Sequence, residues 1–202
     1  MTQLILASAS PRRLELLAHL GIPFTVKPSP VDENALTLSG APKEQAMDSA
    51  RAKAEAAAAM DRDSWILAAD TVVCIDGAIL GKPRDREDAR RMLTLLSGRS
   101  HIVITGVCLT RFGKNGPAPA YEETKVWMAP LSNRQLEGYL DSGDSADKAG
   151  AYGIQGFGGS LIPRIEGCYF NVMGLPLYRT ARLLEEAGFA PHAAPGKAAW
   201  DA

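Results

Sequence analysis

The chain has 202 residues, of which 46% are hydrophobic and 22% charged, so it can build the core of one large or two small domains. Its 22 basic and 23 acidic residues give a formal net charge of −1, which argues against binding nucleic acid or membrane surfaces through overall charge. No apolar run approaches the ~18 residues of a membrane-spanning helix, and the segment "MTQLILASAS" lacks the basic region of a signal peptide.

The first half of the chain alternates between predicted strands and helices. A strand in "LILAS" leads into a helix over Pro11–Leu20, for which Ser10 is the N-cap. A second extended segment, "PFTVKPSPVDE", precedes a long alanine-rich helix, "PKEQAMDSARAKAEAAAAM". The apolar run "WILAADTVVCIDG" predicts a buried strand that turns at Asp76-Gly77 into a hairpin return, "AILGKP".

The second half continues this alternation through a glycine-rich stretch. Asp85 caps a helix in "DREDARRMLTLLSG", and the "GKNGP" turn joins two strands, "HIVITGVCLTRF" and "AYEETKVWMAPL". A capping box at Ser132 and Gln135 opens a helix to about Leu140. After the stretch "SGDSADKAGAYGIQGFGGSLIPRIEG" we expect a strand in "CYFNVMG" and a last helix over residues 175–188.

The order of these elements predicts an α/β protein with a mixed, twisted sheet flanked by helices, to which the hairpin contributes antiparallel pairing. We expect one domain over residues 1–188 and a flexible C-terminal tail over residues 189–202. Cys74, Cys108 and Cys168 are widely spaced, which indicates reduced thiols in a cytoplasmic protein rather than a disulfide framework.

Two arginines stand at an unusual place in the first predicted helix. Arg12 and Arg13 lie in its first turn, where the helix dipole presents partial positive charge and acidic residues are preferred. One interpretation is that both are solvated surface arginines. The other is an anion site, in which the N–H groups of the helix start and the two guanidinium groups bind a phosphate.

Asp70 is the most informative acidic residue. It lies within "ILAADTVV", where burial is expected, and an aspartate is almost never fully buried unless it is paired. A carboxylate at the end of a buried strand is commonly a metal ligand or a general base, whereas the alternative is a capping or turn role for Asp70 and Thr71. Asp32 and Glu33 follow a proline-rich segment and are, on their own, typical of a polar turn.

Further cations and one amide have a ligand-binding interpretation beside a structural one. Lys53 shares a helical stripe with alanines, so it either extends outward to solvent or points into a cleft. Lys82 in "LGKP" is either an ordinary turn lysine or a charge held by a rigid loop. Lys148 and Gln155 bracket "KAGAYGIQG", whose glycines permit close backbone approach to a ligand.

As a set, these residues favour phosphate chemistry. Carboxylates can hold a divalent cation, and several lysines and arginines can surround a polyphosphate. The sequence has no P-loop, no G-x-G-x-x-G after a strand, and no evident Ser-His-Asp or Cys-His arrangement. Metal-assisted hydrolysis of a phosphoanhydride fits this set better than acyl or hydride transfer.

Six motifs occur in the order found in one family: "LASASPRRLELL", "VDE", "AADTVV", "LGKP", "KAGAYGIQG" and "NVMGLP". From about Leu4 to Gly188 the chain resembles Maf proteins. The resemblance implies a fold similar to that of inosine triphosphate pyrophosphatases, with two lobes around a central cleft. It also implies hydrolysis of a nucleoside triphosphate to the monophosphate and pyrophosphate with Mg²⁺ or Mn²⁺. The "DKAGAYGIQG" segment resembles the subgroup that acts on dTTP, UTP and modified pyrimidine nucleotides.

The same resemblance implies roles for nine residues. Asp70 matches the proton acceptor, and Asp70 and Glu33 match the metal site. Phosphate binding is implied for Ser8, Arg13, Lys53 and Lys82. Base selection is implied for Arg12, Thr71 and Gln155. Two departures from the family pattern, Asp144 for glutamate and Met173 for valine, do not touch these residues.

Two alternatives stay open at this stage. One is the same chemistry on another base, such as that of 7-methyl-GTP or ITP. The other is a nucleotide-binding regulator of cell division that does not hydrolyse its ligand. The resemblance is compatible with a homodimer, and we expect neither nucleic acid nor a membrane among the partners.

Overall fold

The computed structural model describes residues 3–114 and 116–191. Within this part of the chain, seven strands form one sheet: β1 (Leu4–Leu6), β2 (Phe24–Val26), β3 (Trp65–Ile75), β4 (Ala78–Leu80), β5 (Ser100–Thr110), β6 (Ala120–Trp127) and β7 (Arg164–Glu166). The described α-helices are α1 (Pro11–Ala18), α2 (Pro42–Met60), α3 (Arg86–Leu96), α4 (Asn133–Asp141), α5 (Gly156–Gly159), α6 (Tyr169–Met173) and α7 (Leu177–Glu186). Short 3₁₀ turns lie at Glu33–Ala35 and Ala149–Ala151.

The sheet is mixed, with the strand order β2-β1-β3-β5-β6-β7 and with β4 paired to β3. β1 runs parallel to β2 and β3, and the other paired strands are antiparallel. The predicted α/β class with a mixed sheet flanked by helices is therefore confirmed. The predicted hairpin is confirmed as the pair β3 and β4.

The two edges of β3 are covered differently. β5 pairs along nearly the whole of one edge. On the other edge, β1 pairs with Trp65–Leu67 and β4 with Val73–Ile75, so residues 68–72 have no strand partner there in the described part of the chain. Asp70 lies in the middle of this open segment and inside β3, in agreement with the predicted strand that runs to the turn at Asp76-Gly77. The strand continues past Asp70 because β5 still pairs with it there.

Alternate residues of β3 pack in different cores. Ile66 packs against the alanine face of α2, whereas Leu67 packs with leucines of α1 and α7. Because successive strand residues point to opposite faces of a sheet, Asp70 faces α2 and Thr71 faces the side of α1. The far end of β3 packs with residues of α3 and α4 in a third cluster.

Helix α2 lies very close to the sheet at Gly106 of β5. A Cβ atom at this position would stand 2.3 Å from the carbonyl oxygen of Ala46. Gly106 is paired in register with Asp70 on β3, and Lys53 follows Ala46 by about two helical turns. The contact at Gly106 therefore sets the distance at which α2 presents Lys53 to β3.

The predicted strand in "CYFNVMG" is wrong, because these residues form α6. The residue after this helix, Gly174, has a φ of 110° and donates its N–H group to the carbonyls of Phe170 and Asn171. A glycine that ends a helix, followed closely by a proline such as Pro176, is a common stop pattern. This pattern outweighs the strand propensity of Tyr169, Phe170 and Val172.

The predicted starts of α1, α3 and α4 are confirmed, whereas the last helix begins at Leu177 rather than at residue 175. Ser10 accepts a hydrogen bond from the first turn of α1, and Asp85 does the same for α3. Ser132 and Gln135 form the predicted capping box of α4. These polar residues satisfy backbone N–H groups that have no partner within a helix.

Residues 192–202, which are most of the predicted tail, and Asn115 of the predicted "GKNGP" turn lie outside the described residues. Among the helices of residues 3–114 and 116–191, none combines the length and the hydropathy needed to span a bilayer. Cys74, Cys108 and Cys168 are free thiols.

Replacing Gly106 by alanine is expected to lower the free energy of unfolding by about 1–3 kcal/mol, because α2 or β5 must move to admit the methyl group. Chemical denaturation followed by circular dichroism measures the loss. Gly81→Ala is the matched control, since a Cβ atom there meets nothing within 4 Å. Equal stabilities of the two variants would contradict the close contact between α2 and the sheet.

Candidate active site

A cleft with a volume of about 650 Å³ lies at the open edge of β3. Its walls come from the start of α1, the open segment of β3, the loop before α5 and the end of α6. Eight of the nine predicted site residues line it: Ser8, Arg12, Arg13, Glu33, Asp70, Thr71, Lys82 and Gln155. The ninth, Lys53, contacts two of the carboxylates that line the cleft.

The open edge allows both faces of β3 to reach the same cleft. Asp70 points toward α2, where it accepts a hydrogen bond from Lys53. Thr71 points the other way and accepts one from Arg13 of α1. Because no strand of the described residues pairs with the edge of residues 68–72 opposite β5, the cleft borders both side chains. A ligand at this edge can therefore contact groups that belong to two different layers.

Lys53 is the charged centre of the α2 side. Its side chain is 5% exposed, and its Nζ atom lies 2.7 Å from Oε1 of Glu33 and also contacts Oδ1 of Asp70. Of the two predicted orientations, the structure shows the one that points toward the cleft. A buried ammonium group needs such partners, because removing an unpaired charge from water is costly.

Glu33 connects the buried lysine with the outer rim of the cleft. Its Oε2 atom lies 3.4 Å from Nζ of Lys82, whose side chain is 60% exposed. Partial burial raises the pKa of Glu33, but the hydrogen bond from Lys53 and the charges of both lysines outweigh it and hold the pKa below its usual value. Glu33 therefore carries a full negative charge near neutral pH, and it belongs to a charge cluster rather than to an isolated polar turn.

Arg13 is held by three contacts on the α1 side. Its Nε atom donates to the carbonyl of Gly174 at 2.9 Å, its Nη2 atom to Thr71 Oγ1 at 3.1 Å, and its Nη1 atom to Ser8 Oγ at 3.5 Å. Burial lowers the pKa of Arg13, and the nearby carboxylates of Asp70 and Glu33 counteract this effect. The guanidinium group remains charged and has further N–H donors for an anion.

Arg12 contacts the opposite wall of the cleft. Its Nη1 atom lies 3.4 Å from Oδ2 of Asp147, and Oδ1 of the same carboxylate lies 2.7 Å from Nζ of Lys148. Lys148 also donates to the backbone carbonyl of Asp144. Sequence reasoning singled out Lys148 but not Asp147, because a single aspartate in a polar loop has no local signal for a contact across 135 residues.

Gln155 lies on the same wall, at the N-cap position of α5, where its side chain makes no capping hydrogen bond. The glycines around it serve packing inside the protein. A Cβ atom at Gly150 would stand 3.0 Å from a methyl group of Val73, and one at Gly153 would stand 2.9 Å from Lys148. Close approach of a ligand is thus not needed to explain these glycines.

A buried pair of side chains lies next to this wall of the cleft. Tyr152, which borders the cleft, and His101 of β5 share a hydrogen bond of 2.6 Å between the hydroxyl and Nε2. Both residues are at most 5% exposed, and His101 Nδ1 has no partner among the described residues. Burial lowers the pKa of His101 to about 4 and raises the pKa of Tyr152. The scattered histidines of the sequence gave no hint of this pairing.

Glu33 and Asp70 provide the oxygen ligands that Mg²⁺ and Mn²⁺ prefer. Across residues 3–114 and 116–191, no group of three or more His, Cys, Asp or Glu side chains is positioned to hold a metal ion. Mg²⁺ is typically bound by one or two carboxylates together with substrate phosphates and water. The residues therefore fit a divalent ion that binds with a phosphorylated ligand.

The cleft thus combines carboxylates that can accept a proton or a metal with cations that can bind a chain of phosphates. Paired carboxylates beside fixed cations are suited to hydrolysis at phosphorus, where charge stabilisation supplies most of the catalysis. The fold and the cleft are those of an α/β protein whose carboxylates and cations are arranged as phosphate hydrolysis requires.

The chain matches the family model described as "Maf-like protein" over residues 3–187, and it belongs to the Maf family. A protein named dTTP/UTP pyrophosphatase from Symbiobacterium thermophilum is 50% identical over 189 residues, which cover 94% of this chain and 96% of that protein. One of the same name from Carboxydothermus hydrogenoformans is 48% identical over 187 residues, which cover 93% of this chain and 100% of that protein. A solved structure of a HAM1 protein from Coxiella burnetii aligns with a TM-score of 0.47 and 20% identity, covering 80% of this chain and 81% of that one.

The buried histidine is expected to make the protein less stable in acid. Its pKa is about 4 in the folded state and 6.5 without the protein environment, so between these values the unfolded chain binds a proton that the folded protein does not. The free energy of unfolding should therefore fall as the pH is lowered from about 6.5 to about 4, by up to about 3 kcal/mol from this group.

Denaturant titrations at several pH values measure this slope. In His101→Gln, which keeps a polar partner for Tyr152, the slope should be smaller, whereas His19→Gln removes an exposed histidine and should leave it unchanged. An identical slope in wild type and His101→Gln would contradict the assignment.

Proposed function

We propose that this chain is a nucleoside triphosphate pyrophosphatase that hydrolyses dTTP, UTP and related modified pyrimidine nucleotides to the monophosphate and pyrophosphate. Relatives named dTTP/UTP pyrophosphatase, 50% and 48% identical to it, support the substrate class. The observation that carries the proposal is the convergence of Arg13, Lys53 and Lys82 around Asp70 and Glu33 at one cleft.

Asp70 is the residue to which we assign proton transfer. In the proposed reaction water attacks the α-phosphorus, and the bond from that phosphorus to the oxygen that leaves with pyrophosphate is broken. Lys53 contacts Oδ1 of Asp70 and orients the carboxylate, so Oδ2 is the atom that accepts the proton of the attacking water.

Arg13 and Lys82 supply positive charge on two sides of Asp70. Arg13 is already oriented by Ser8, Thr71 and Gly174 before a ligand binds, so little reorganisation is needed when negative charge develops on the phosphate oxygens. Pro11 has no N–H group and the N–H groups of Arg13 and Leu14 already bond Ser10, so the start of α1 contributes mainly the partial positive charge of its helix dipole to the same chain of phosphates. The two arginines at that helix start are thus explained by an anionic ligand.

A divalent cation, Mg²⁺ or Mn²⁺, is part of the proposal. Held by Glu33 and Asp70 together with the triphosphate, it would supply further positive charge to the phosphate oxygens. Lys53 contacts both carboxylates and keeps them together at the cleft wall. The lysine thereby limits the repulsion between two neighbouring negative groups.

We assign the choice of base to Arg12, Thr71 and Gln155, which line the cleft from two walls. A side-chain amide offers both a donor and an acceptor, which matches the O4 and N3–H edge of uracil or thymine. Cytosine presents the opposite pattern at these positions. A buried polar group left without its partner can produce strong discrimination between such ligands.

The proposal includes a cytoplasmic location. Cys74, Cys108 and Cys168 are free thiols, as expected for a protein in a reducing compartment. The proposed substrates are nucleotides of the same compartment.

Asp70→Asn is expected to reduce pyrophosphate release from dTTP and UTP by about 10²–10⁴-fold, because the amide cannot accept the proton. The assay uses purified protein with Mg²⁺ or Mn²⁺ and a panel of dTTP, UTP, CTP, dATP, GTP, ITP and 7-methyl-GTP. Asp76→Asn is the matched control, since Asp76 is exposed and pairs with Arg99 in a turn.

Normal turnover by folded Asp70→Asn would overturn the role of Asp70. Selective release from another base of the panel would keep the chemistry and reject the substrate class. Binding of a nucleotide without release from any of them would favour a regulator that does not hydrolyse its ligand.

Gln155→Ala is expected to weaken the preference for uracil and thymine over cytosine, because the variant loses the amide that reads the base edge. The measurement is the ratio of kcat/KM values for dTTP, UTP and CTP. Gln135→Ala, which changes an exposed residue of the α4 capping box, should leave the ratio unchanged. Unchanged ratios in Gln155→Ala would reject the assignment.

A further inference from the structure

A chain of hydrogen bonds leads from Arg13 through the sheet to α6. Arg13 Nη2 donates to Thr71 Oγ1 at 3.1 Å, and the hydroxyls of Thr71 and Thr105 are 2.9 Å apart. Thr105 Oγ1 then donates to the backbone carbonyl of Asn171 at 3.0 Å. Thr105 and Asn171 are both 0% exposed, and neither lines the cleft.

The donor and the acceptor of each hydrogen bond in this series are determined by the groups at its two ends. A guanidinium group can only donate, and a carbonyl oxygen can only accept. Thr105 must therefore give its proton to Asn171, which leaves its oxygen to accept from Thr71. Thr71 in turn must give its proton to Thr105 and accept from Arg13. The Thr71 hydroxyl thus has no proton left for a ligand and can offer only a lone pair.

Asn171 also affects the position of Arg13 through a second set of contacts. Its Nδ2 atom donates to the carbonyl of Val103 at 3.0 Å and to Thr124 Oγ1 at 2.9 Å, which ties α6 to β5 and β6. Gly174, directly after α6, accepts the hydrogen bond from Arg13 Nε. Two of the three contacts that orient Arg13 therefore depend on how α6 is joined to the sheet.

We propose that Thr105 is a positioning residue that holds the Thr71 hydroxyl as an acceptor for Arg13 and so keeps the guanidinium group oriented for phosphate. The proposal rests on the proposed function, because it takes Arg13 to bind the phosphates of the ligand. Without the Thr105 hydroxyl, Thr71 can rotate its proton toward Arg13, which breaks the contact and releases one side of the guanidinium group.

Thr105→Val and Thr105→Ser separate the hydroxyl from the shape of the side chain. Valine keeps the branched shape and lacks the hydroxyl, whereas serine keeps the hydroxyl. Thr180→Val is the matched control, because Thr180 is also 0% exposed and also donates to a backbone carbonyl, that of Pro176, but it is not part of the hydrogen bonds that lead to Arg13.

Two readouts are measured for each variant: kcat/KM for pyrophosphate release from dTTP, and the Kd of inorganic pyrophosphate by calorimetry. We expect Thr105→Val to lose about tenfold or more in kcat/KM, since small displacements of a positioned group are costly in catalysis. Its affinity for pyrophosphate should fall in parallel. Thr105→Ser and Thr180→Val should stay within about twofold of wild type, although Thr180→Val loses thermal stability.

A double variant tests whether Thr105 acts through Arg13. In an Arg13→Lys background the oriented guanidinium group is absent, so Thr105→Val should cause little further loss. Losses that multiply in the double variant would show that Thr105 acts elsewhere and would overturn the proposal. Equal values for Thr105→Val and Thr105→Ser would do so as well.

If Thr105→Val does not fold, the pair Thr105→Ala and Thr105→Ser makes the same comparison, because these variants also differ by one hydroxyl. Absence of pyrophosphate release by the wild type would refute the proposed function alone, and the calorimetric comparison would still decide the role of Thr105. An active wild type with no difference between the paired variants would refute the role of Thr105 alone.

Discussion

In the described part of the chain, residues 68–72 of β3 pair with β5 on one edge and have no strand partner on the other, and the cleft depends on this constraint. β1 and β4 are three residues long and pair with opposite ends of β3, so neither covers its middle. A paired strand sends alternate side chains into two separate layers, but at an uncovered edge both layers border the same space. Asp70 and Thr71 are neighbours in sequence and reach one cleft for this reason. The lengths of two short strands thus determine where the site lies.

Packing and charge are coupled on the α2 side of the sheet. Gly106 lets α2 approach β5, and this brings the ammonium group of Lys53 to the carboxylate of Asp70. The lysine is almost fully buried, yet its partners come from two other elements, the 3₁₀ turn of Glu33 and the strand β3. A tight helix–sheet contact of small residues therefore controls the position of a charge, and the charge in turn holds a surface turn in place.

Local patterns predicted much of the fold, and together with the family resemblance they predicted eight of the residues that line the cleft. The alanine stripe around Lys53, the cap at Ser10 and the hairpin after β3 are periodic or short-range signals, and all three are confirmed. Helix α6 was missed because the aromatic and β-branched residues of this stretch favour a strand, whereas the glycine stop signal after them belongs to a helix. Other contacts join residues that are far apart in sequence. These are the contacts of Arg12 and Tyr152 with their partners and the series of hydrogen bonds from Arg13 to α6. Only the register of β5 against β3 and the path of the glycine-rich loop bring them together.

The carboxylate of Asp147 bridges Arg12 on one wall and Lys148 on the other, while Lys53 and Lys82 share Glu33. These four cations are therefore already engaged by the protein's own acids, whereas Arg13 is held by neutral groups. An incoming anion must compete with those acids. Its net binding free energy is therefore the difference between the free energy of the ion pairs that it forms and that of the internal ion pairs that it replaces. A ligand that carries several phosphates replaces many of these internal pairs at once, whereas one with a single phosphate replaces few. The same competition lets the acids reclaim their partners as a product departs, which favours turnover over tight retention.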